Sequence, residues 1–405
     1  MATPNGSTRS FTATYVDTPD RRLARAGIPL RRRVEKGESI WEARIGETTV
    51  SAPGGPSRPP AELQRVLAAL LRGEDVVQVA RLRRGRKDVA LLDGQRVLAS
   101  YVDMDAALKE ALDAPSEEKV PSKDDPAVEH LRAYLRAQLT AIERHDPAVR
   151  VGSDPEDVHK LRVAVRRSRA ALRETRSLLG EERSRELGDE LKWFGRQLGP
   201  ARDLDVLIER LRLEVAELDG PDAVPAGKIV MQLESEREAV QAAVLETLES
   251  PRYSALLAML EETVNAPPVA ESHLSLTKVA QKEFRRLERQ VKSLGHSPSN
   301  DALHRARIQA KRLRYATELS SQLLGKDADR IVSAAKKFQD VVGAHQDAVV
   351  AEERIRDAVR RARGVGPGLA AGRLVERERA RRADARAGLP KAWKRLRDRA
   401  DAVWA

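Results

Sequence analysis

The C-terminal two thirds of the sequence contain an internal repeat, and this repeat limits the possible folds more than any other feature. The segment HKLRVAVRRSRAALR, which begins at His159, matches HRARIQAKRLRYATE, which begins 145 residues later at His304. Further along, LKWFGRQLGPARDLDVL from Leu191 matches AKKFQDVVGAHQDAVVA from Ala335, and a looser third match follows in the same order. Three matches at a nearly constant offset indicate a duplication, whose period is far too long for the unit of a solenoid.

Both halves of this repeat show helical patterns. Their segments are long, heptad-like and rich in Ala, Leu, Arg and Glu, and they are separated by GP, SP and APP. Each half has room for about four or five helices. We therefore predict a multidomain protein with α and β parts that is mostly helical, its helical part forming two bundles related by a pseudo-twofold axis.

One helix of each half carries a stripe of positive charge. From His159 to Arg173, a histidine and four arginines recur every three or four residues, so they lie within roughly 80° of one another around the helix. The second half repeats this stripe from His304, and a parallel second row flanks both stripes. The candidate anion-binding residues are His159, Lys160, Arg162, Arg166, Arg167, Arg169, Arg173, Lys192 and Arg202 in the first half, and His304, Arg305, Arg307, Lys311, Arg312, Arg314 and Lys336 in the second.

A run of charge on a helix is usually a solvated face, but such faces normally mix acids and bases, because like charges four residues apart repel. Here at least four cations stack on a narrow stripe without an acid, and the pattern occurs twice. This favours a surface that binds an anion or the carboxylates of a partner. The two histidines by themselves are equally compatible with buried polar contacts or with capping.

The composition narrows the class of ligand. The 405 residues carry a formal net charge of +11, which indicates a polyanionic partner such as nucleic acid, polyphosphate or an anionic membrane. Aromatic residues make up only 3% of the chain, which is poor material for stacking bases. No apolar run has the length of a membrane span, the first residues lack the apolar core of a secretory signal, and the absence of cysteine excludes disulfides. We therefore expect a cytoplasmic protein.

The N-terminal region has a different character. Residues 11 to 104 form short, partly alternating segments broken by Gly, Pro and Asp, which predict strands and turns, with one helix between Pro60 and Gly73. The polar, proline-bounded stretch that follows predicts a linker. The expected domains are a β domain at 11–113, a linker at 114–125 and a helical domain at 126–403, with repeats at about 126–265 and 272–403.

The repeated segments resemble those of the CHAD family, the conserved-histidine α-helical domain. The segments that carry the resemblance are VHKLRVAVRRSRAALR, GPARDLDVL, LHRARIQAKRLRYATEL and FQDVVGAHQDAVV, and they lie in order within residues 126–403. The resemblance implies two four-helix bundles with internal twofold symmetry and a basic central channel that binds inorganic polyphosphate. It assigns this role to His159, Arg162, Arg166, Arg169, His304, Arg307, Lys311 and Arg314. The sequence departs from the pattern where HQDAV replaces RDLDV.

The N-terminal region is similar to a CYTH domain, the triphosphate tunnel fold, in YVDTPDRRLARAGIPLRRR and WEARI. The resemblance implies an antiparallel β-barrel. That family has a first strand with Glu-x-Glu-x-Lys, but here no acid precedes Phe11, and Ser100 stands where a later metal-site glutamate is expected. We therefore predict an incomplete, inactive barrel that lacks the carboxylates of a metal site. The arginines expected to line its tunnel are Arg31, Arg33, Arg44, Arg81 and Arg83.

The sequence thus predicts a protein that binds inorganic polyphosphate and associates with polyphosphate granules, with no metal or other cofactor and no membrane contact. Two alternatives stay open. One is a metal-dependent triphosphatase or polyphosphatase in the barrel. The other is nucleic-acid binding through the same positive charge, which a groove too narrow for a duplex disfavours.

Overall fold

The chain folds into two compact units. The computed structural model describes residues 11–84, 89–93, 96–100, 120–152, 154–218, 222–267, 273–361 and 366–404. The first unit consists of Met1–Lys119, Ala137–Ala164 and Leu245–Ala258, and the second of Val120–Arg136, Val165–Val244 and Met259–Ala405. These units do not coincide with the expected domains, because Ala137–Ala164 and Leu245–Ala258 lie in the expected helical domain but belong to the first unit. Residues 114–119 of the expected linker lie outside the described residues.

Seven antiparallel strands form one sheet in the first unit, in the order β4-β3-β2-β1-β5-β6-β7. Each strand coincides with one of the alternating segments that predicted it. Because β4 and β7 stand at opposite ends of this order, the sheet is open over the residues that the structure describes. The strands are β1 Phe11–Asp17, β2 Leu30–Glu35, β3 Glu38–Ile45, β4 Thr48–Pro53, β5 Val77–Arg84, β6 Val89–Asp93 and β7 Arg96–Ser100.

Three short helices cover one face of this sheet: α1 Arg22–Ala26, α2 Ala61–Val66 and α3 Ala68–Leu71. Leu23, Leu67 and Leu70 from this helical layer are buried in one core with Trp41. The Nε1–H of Trp41 donates to the carbonyl of Gly55 at 2.9 Å. A Cβ on the neighbouring Gly54 would lie 2.7 Å from Cγ of Pro60 and 2.9 Å from Cδ1 of Trp41, so only glycine fits there.

The remaining described elements are helices. They are α4 Ala127–Val151, α5 Pro155–Glu174, α6 Arg176–Leu179, α7 Glu181–Ala216, α8 Ala223–Glu249, α9 Pro251–Asn265, α10 Leu276–Lys292, α11 Asn300–Leu319, α12 Ser321–Leu324, α13 Lys326–Arg361 and α14 Gly366–Trp404.

The repeated segments form helices of equal length. Helices α5 and α11 have 20 residues each, α6 and α12 have 4, and α7 and α13 have 36. Every buried residue of α5 from Val158 to Leu172 has a buried counterpart in α11 that lies 145 residues later. Every buried residue of α7 from Ser184 to Leu207 has one in α13 that lies 144 residues later. These two offsets define which residues of the two repeats are equivalent.

Among the described residues, two hydrophobic cores can be delineated between helices of the second unit. One surrounds Phe338 and takes residues from α10, α11, α13 and α14. In it, the ring of Trp393 meets Phe338 edge-on, with 5.9 Å between the ring centroids. The other core takes residues from α7, α8, α13 and α14. Helices α13 and α14 thus contribute to both cores.

The GP pair of the first repeat does not break a helix. Helix α7 continues through Gly199 and Pro200, although the sequence pattern placed a boundary there. Proline within a helix removes a hydrogen bond and crowds the preceding turn. Leu198 and Ala201 are both buried, so packing holds the turns on either side of the proline in place.

Candidate anion-binding groove

Helix α5 presents an apolar stripe and a basic stripe, as its residue spacing predicts. Leu161, Val165 and Leu172 are buried, whereas the basic residues beside them are exposed or half-buried. At the start of helix α11, the hydroxyl of Ser299 caps the helix by accepting a hydrogen bond from the backbone N–H of Ala302 at 3.2 Å. Both helices bury an apolar side, and their cations are exposed or half-buried.

A groove of about 540 Å³ lies in the second unit, and residues of α5, α6, α7 and α11 line it. Both repeats contribute to its wall. Its cationic residues are Arg166, Arg169, Arg173, Arg176, Arg185, Lys192, Lys311 and Arg312. The same lining includes one carboxylate, that of Asp189. The groove is therefore strongly positive.

The cations at the centre of this groove repel one another. Burial, together with the nearby charges of Arg173 and Arg196, lowers the pKa of Arg169, and the carboxylate of Asp189 only partly opposes this effect. An arginine stays protonated in spite of such a shift. The neighbouring arginines thus add to the effect of burial on this pKa, and a bound anion would relieve their repulsion. One acid outside the groove lining, Glu174, reduces this charge locally by pairing with Nε of Arg173 at 2.7 Å.

Tyr315 is the aromatic residue of the groove lining, and it is buried. Its hydroxyl accepts a hydrogen bond from Nε of Arg166 at 2.5 Å and another from Nη2 of Arg314 at 3.0 Å. The guanidinium of Arg314 also lies over the Tyr315 ring, 4.7 Å from its centroid. This tyrosine thus links the basic stripe of α5 to that of α11.

Glu318 forms ion pairs with two arginines, Arg167 and Arg314, which are not part of the described groove lining. Arg167 donates two hydrogen bonds to its carboxylate, at 2.9 and 3.1 Å, in the forked geometry that arginine and carboxylate favour. Nε of Arg314 lies 3.4 Å from the same carboxylate, and the hydroxyl of Tyr134 donates to it at 3.3 Å. Burial by itself would lower the pKa of Arg167, but the charge and hydrogen bonds of Glu318, together with the nearby Tyr134 and Tyr315, outweigh burial and raise this pKa. Arg167 and Arg314 are thus engaged within the protein.

Comparison with known proteins identifies the helical region. The sequence model of the CHAD domain matches residues 133–356, which is more than half of the chain. The chain belongs to the CHAD family. Among solved structures, the CHAD domain from the plant Ricinus communis is similar with a TM-score of 0.56 and 26% identity, covering 71% of this chain and 96% of that one. PptA from Streptomyces chartreusis has the same TM-score at 23% identity, covering 67% of this chain and 100% of that one, and shows the same fold.

Two curated relatives of this CHAD protein come from Mycobacterium tuberculosis, strains CDC 1551 / Oshkosh and ATCC 25618 / H37Rv. Both are described as uncharacterized proteins. Each is 27% identical over 431 residues, covering 86% of this chain and 82% of the relative.

The CHAD groove brings together only part of the predicted set of residues. Arg166, Arg169, Arg173, Lys192, Lys311 and Arg312 line it. Arg307 instead lies 3.7 Å from Asp347, and Nδ1 of the exposed His304 lies 3.3 Å from Oε1 of Gln346. The other predicted residues outside the described groove lining are His159, Lys160 and Arg162 in the first unit, and Arg167, Arg202, Arg305, Arg314 and Lys336 in the second.

Sequence reasoning missed two cations of this CHAD groove, Arg176 and Arg185. Arg176 continues the stripe of α5 three residues beyond Arg173, across the end of the helix. Arg185 lies two helical turns before Lys192 in α7, so both residues share one face. Extending the spacing beyond the end of the first repeated segment would have found Arg176, and extending it back from the start of the second would have found Arg185.

The register of the sheet contradicts the prediction that five arginines line one tunnel. Tyr15 pairs with Arg31, whereas the next residue back, Thr14, pairs with Arg81. Arg31 also pairs with Glu42 of β3, two residues before Arg44. Since consecutive residues of a strand point to opposite faces, Arg31, Arg33 and Arg44 lie on one face of the sheet, and Arg81 and Arg83 on the other. Arg31 and Arg33 also approach Glu42, at 2.7 and 3.4 Å, which neutralises part of their charge. The resemblance of this sheet to a CYTH domain stays a prediction.

Two kinds of feature are absent from the described residues. No group of three or more histidine or acidic side chains in the described ranges is arranged to hold a metal ion. Likewise, among the helices of the described part, none is long and apolar enough to cross a bilayer.

Proposed function

We propose that this CHAD protein binds inorganic polyphosphate in the groove, and that it acts as a binding protein without catalysis, metal or other cofactor. The observation that carries the proposal is the charge of the groove. Eight cations from both repeats surround one cavity, and a single carboxylate shares its lining. Such an arrangement is unfavourable unless an anion neutralises it.

The chemistry of these side chains suits a linear phosphate polymer. A guanidinium offers a fork of N–H donors that matches two phosphate oxygens, and lysine adds a mobile point charge. Arg166 uses its Nε for Tyr315, which orients the rest of its guanidinium. A chain of phosphates can meet successive cations along α5 and α11, as the family resemblance also implies.

The aromatic content of the groove favours polyphosphate over single-stranded nucleic acid. Proteins that bind single strands stack bases on exposed aromatic rings. The ring in this lining, Tyr315, is buried and held by two arginines. The described lining therefore offers charge without a platform for bases.

Binding should weaken steeply as salt rises, because the polymer releases counterions when it binds. We expect log Kd to rise linearly with log salt concentration, by roughly 0.7 for each phosphate contact, by analogy with single-stranded nucleic acid. Calorimetric titration of the full chain with polyphosphate at several salt concentrations measures this slope. Duplex DNA added at equal phosphate concentration should leave bound polyphosphate in place. Displacement by DNA would favour a nucleic-acid ligand instead.

In cells, we expect a fluorescent fusion of the full chain to be cytoplasmic and to concentrate on polyphosphate granules. A polymer presents many overlapping sites, so a protein that dissociates from one is recaptured at the next. The measurement compares foci in cells that can and cannot synthesise polyphosphate, with the Arg166→Glu, Lys311→Glu variant as a binding-deficient control. Foci that persist without the polymer would show that the protein follows another component.

A further inference from the structure

The two repeats contribute unequally to the groove. Their equivalent residues can be compared position by position, because the buried residues of α5 and α11, and those of α7 and α13, coincide. Three cations of the first-repeat wall have no cationic counterpart in the second repeat. Arg173 corresponds to Glu318, Arg176 to Ser321 and Arg185 to Asp329.

The second repeat carries different side chains at the equivalent positions. Ala170 of the groove corresponds to Tyr315, whose ring is buried against Arg314. Where the first repeat has the cation Arg173, the second has Glu318, whose carboxylate receives Arg167 and Arg314. The carboxylate of Glu318 therefore neutralises Arg167 and Arg314. The carboxylates of Glu318 and Asp329 would also repel an added anion.

From this asymmetry, and on the basis of the proposed function, we infer that the chain holds one polyphosphate strand, on one side of its pseudo-twofold arrangement. The strand lies along the first-repeat wall formed by α5, α6 and α7, and it meets Lys311 and Arg312 of α11 from the second repeat. Tyr315 and Glu318 are positioning residues, since they fix Arg166 and Arg167 and thereby hold the two basic helices in register. At the equivalent position of the second repeat, Glu318 contacts both Arg167 of α5 and Arg314 of α11. We call this structural contact the clamp.

Two equivalent lysines provide a matched test. Lys192 and Lys336 occupy the same position in α7 and α13, and both are exposed, but of the two only Lys192 is in the described groove lining. Calorimetry of the full chain with short-chain polyphosphate should give one binding site per protein. Lys192→Ala should weaken binding about tenfold, the effect of losing one charge-assisted contact, whereas Lys336→Ala should change the Kd less than about twofold.

The outcomes separate this inference from the proposed function. Two sites per chain, or equal losses in both lysine variants, would overturn the one-sided strand while leaving polyphosphate binding intact. An absence of binding by the unaltered chain would instead refute the proposed function. A second pair, Arg185→Ala and Asp329→Ala, repeats the comparison at another equivalent position, and only the first should weaken binding.

Discussion

Reversing the charge of Arg166 and Lys311 together should weaken polyphosphate binding by at least about a hundredfold. Each residue lines the groove, one from each repeat. A hydrogen bond to a charged group contributes about 1.5–3 kcal/mol, so loss of two such contacts costs about 3 kcal/mol or more, and the new carboxylates add repulsion. Calorimetric titration of the Arg166→Glu, Lys311→Glu variant at fixed salt measures the change.

The control for this variant must alter the net charge equally without touching the groove. Arg305→Glu with Lys336→Glu meets this condition, since both residues are exposed and neither is in the described groove lining. Circular dichroism should confirm that both double variants keep their helices, because Arg166 also contacts Tyr315. Similar losses of affinity in the two variants would show that net charge, and not the groove, determines binding.

The largest effect on stability should come from Phe338→Ala. The Phe338 side chain is fully buried in the core shared by α10, α11, α13 and α14. Replacing a buried phenylalanine by alanine removes apolar surface and leaves a cavity, at a cost of about 3–5 kcal/mol in the free energy of unfolding. Urea denaturation followed by circular dichroism should show the transition at lower urea concentration.

Phe194 offers an internal comparison for this substitution. It is the equivalent residue of α7 and is likewise fully buried. Phe194→Ala should therefore destabilise the protein to a similar degree, whereas Phe338→Leu, which keeps a large apolar side chain and leaves a smaller cavity, should cost less than Phe338→Ala. A midpoint for Phe338→Ala that matches the unaltered protein would mean that this core tolerates the cavity by collapsing around it.

Much of the local structure could be predicted from the sequence. Alternating segments bounded by Gly, Pro and Asp matched all seven strands, and the apolar stripe of α5 matched its buried side. These features depend on nearest neighbours along the chain, which periodicity records directly. The family and its helical fold also followed from the repeated segments. The arrangement as two four-helix bundles stays a prediction.

The features that could not be predicted from the sequence depend on contacts between residues that are far apart in the chain. The register of β1 against β5 decides which arginines share a face, and a shift of one residue reverses every side chain. The role of Arg167 depends on Glu318, 151 residues away, although the charges alone made both rows of the stripe look alike. The aligned segments do end in Arg173 and Glu318, so the difference was visible, but its consequence required the side-chain contacts.

The contrast between Arg173 and Glu318 bears on how a duplicated chain can evolve. In a symmetric dimer of one short chain, a substitution appears at both equivalent positions at once. In such a dimer, a glutamate at the position of Arg173 and Glu318 would form the clamp in both copies. It would also remove the corresponding arginine from both copies. Joining the two copies in one polypeptide lets each change alone, so that one copy keeps the groove-lining arginine while the other acquires the glutamate that connects the two helices.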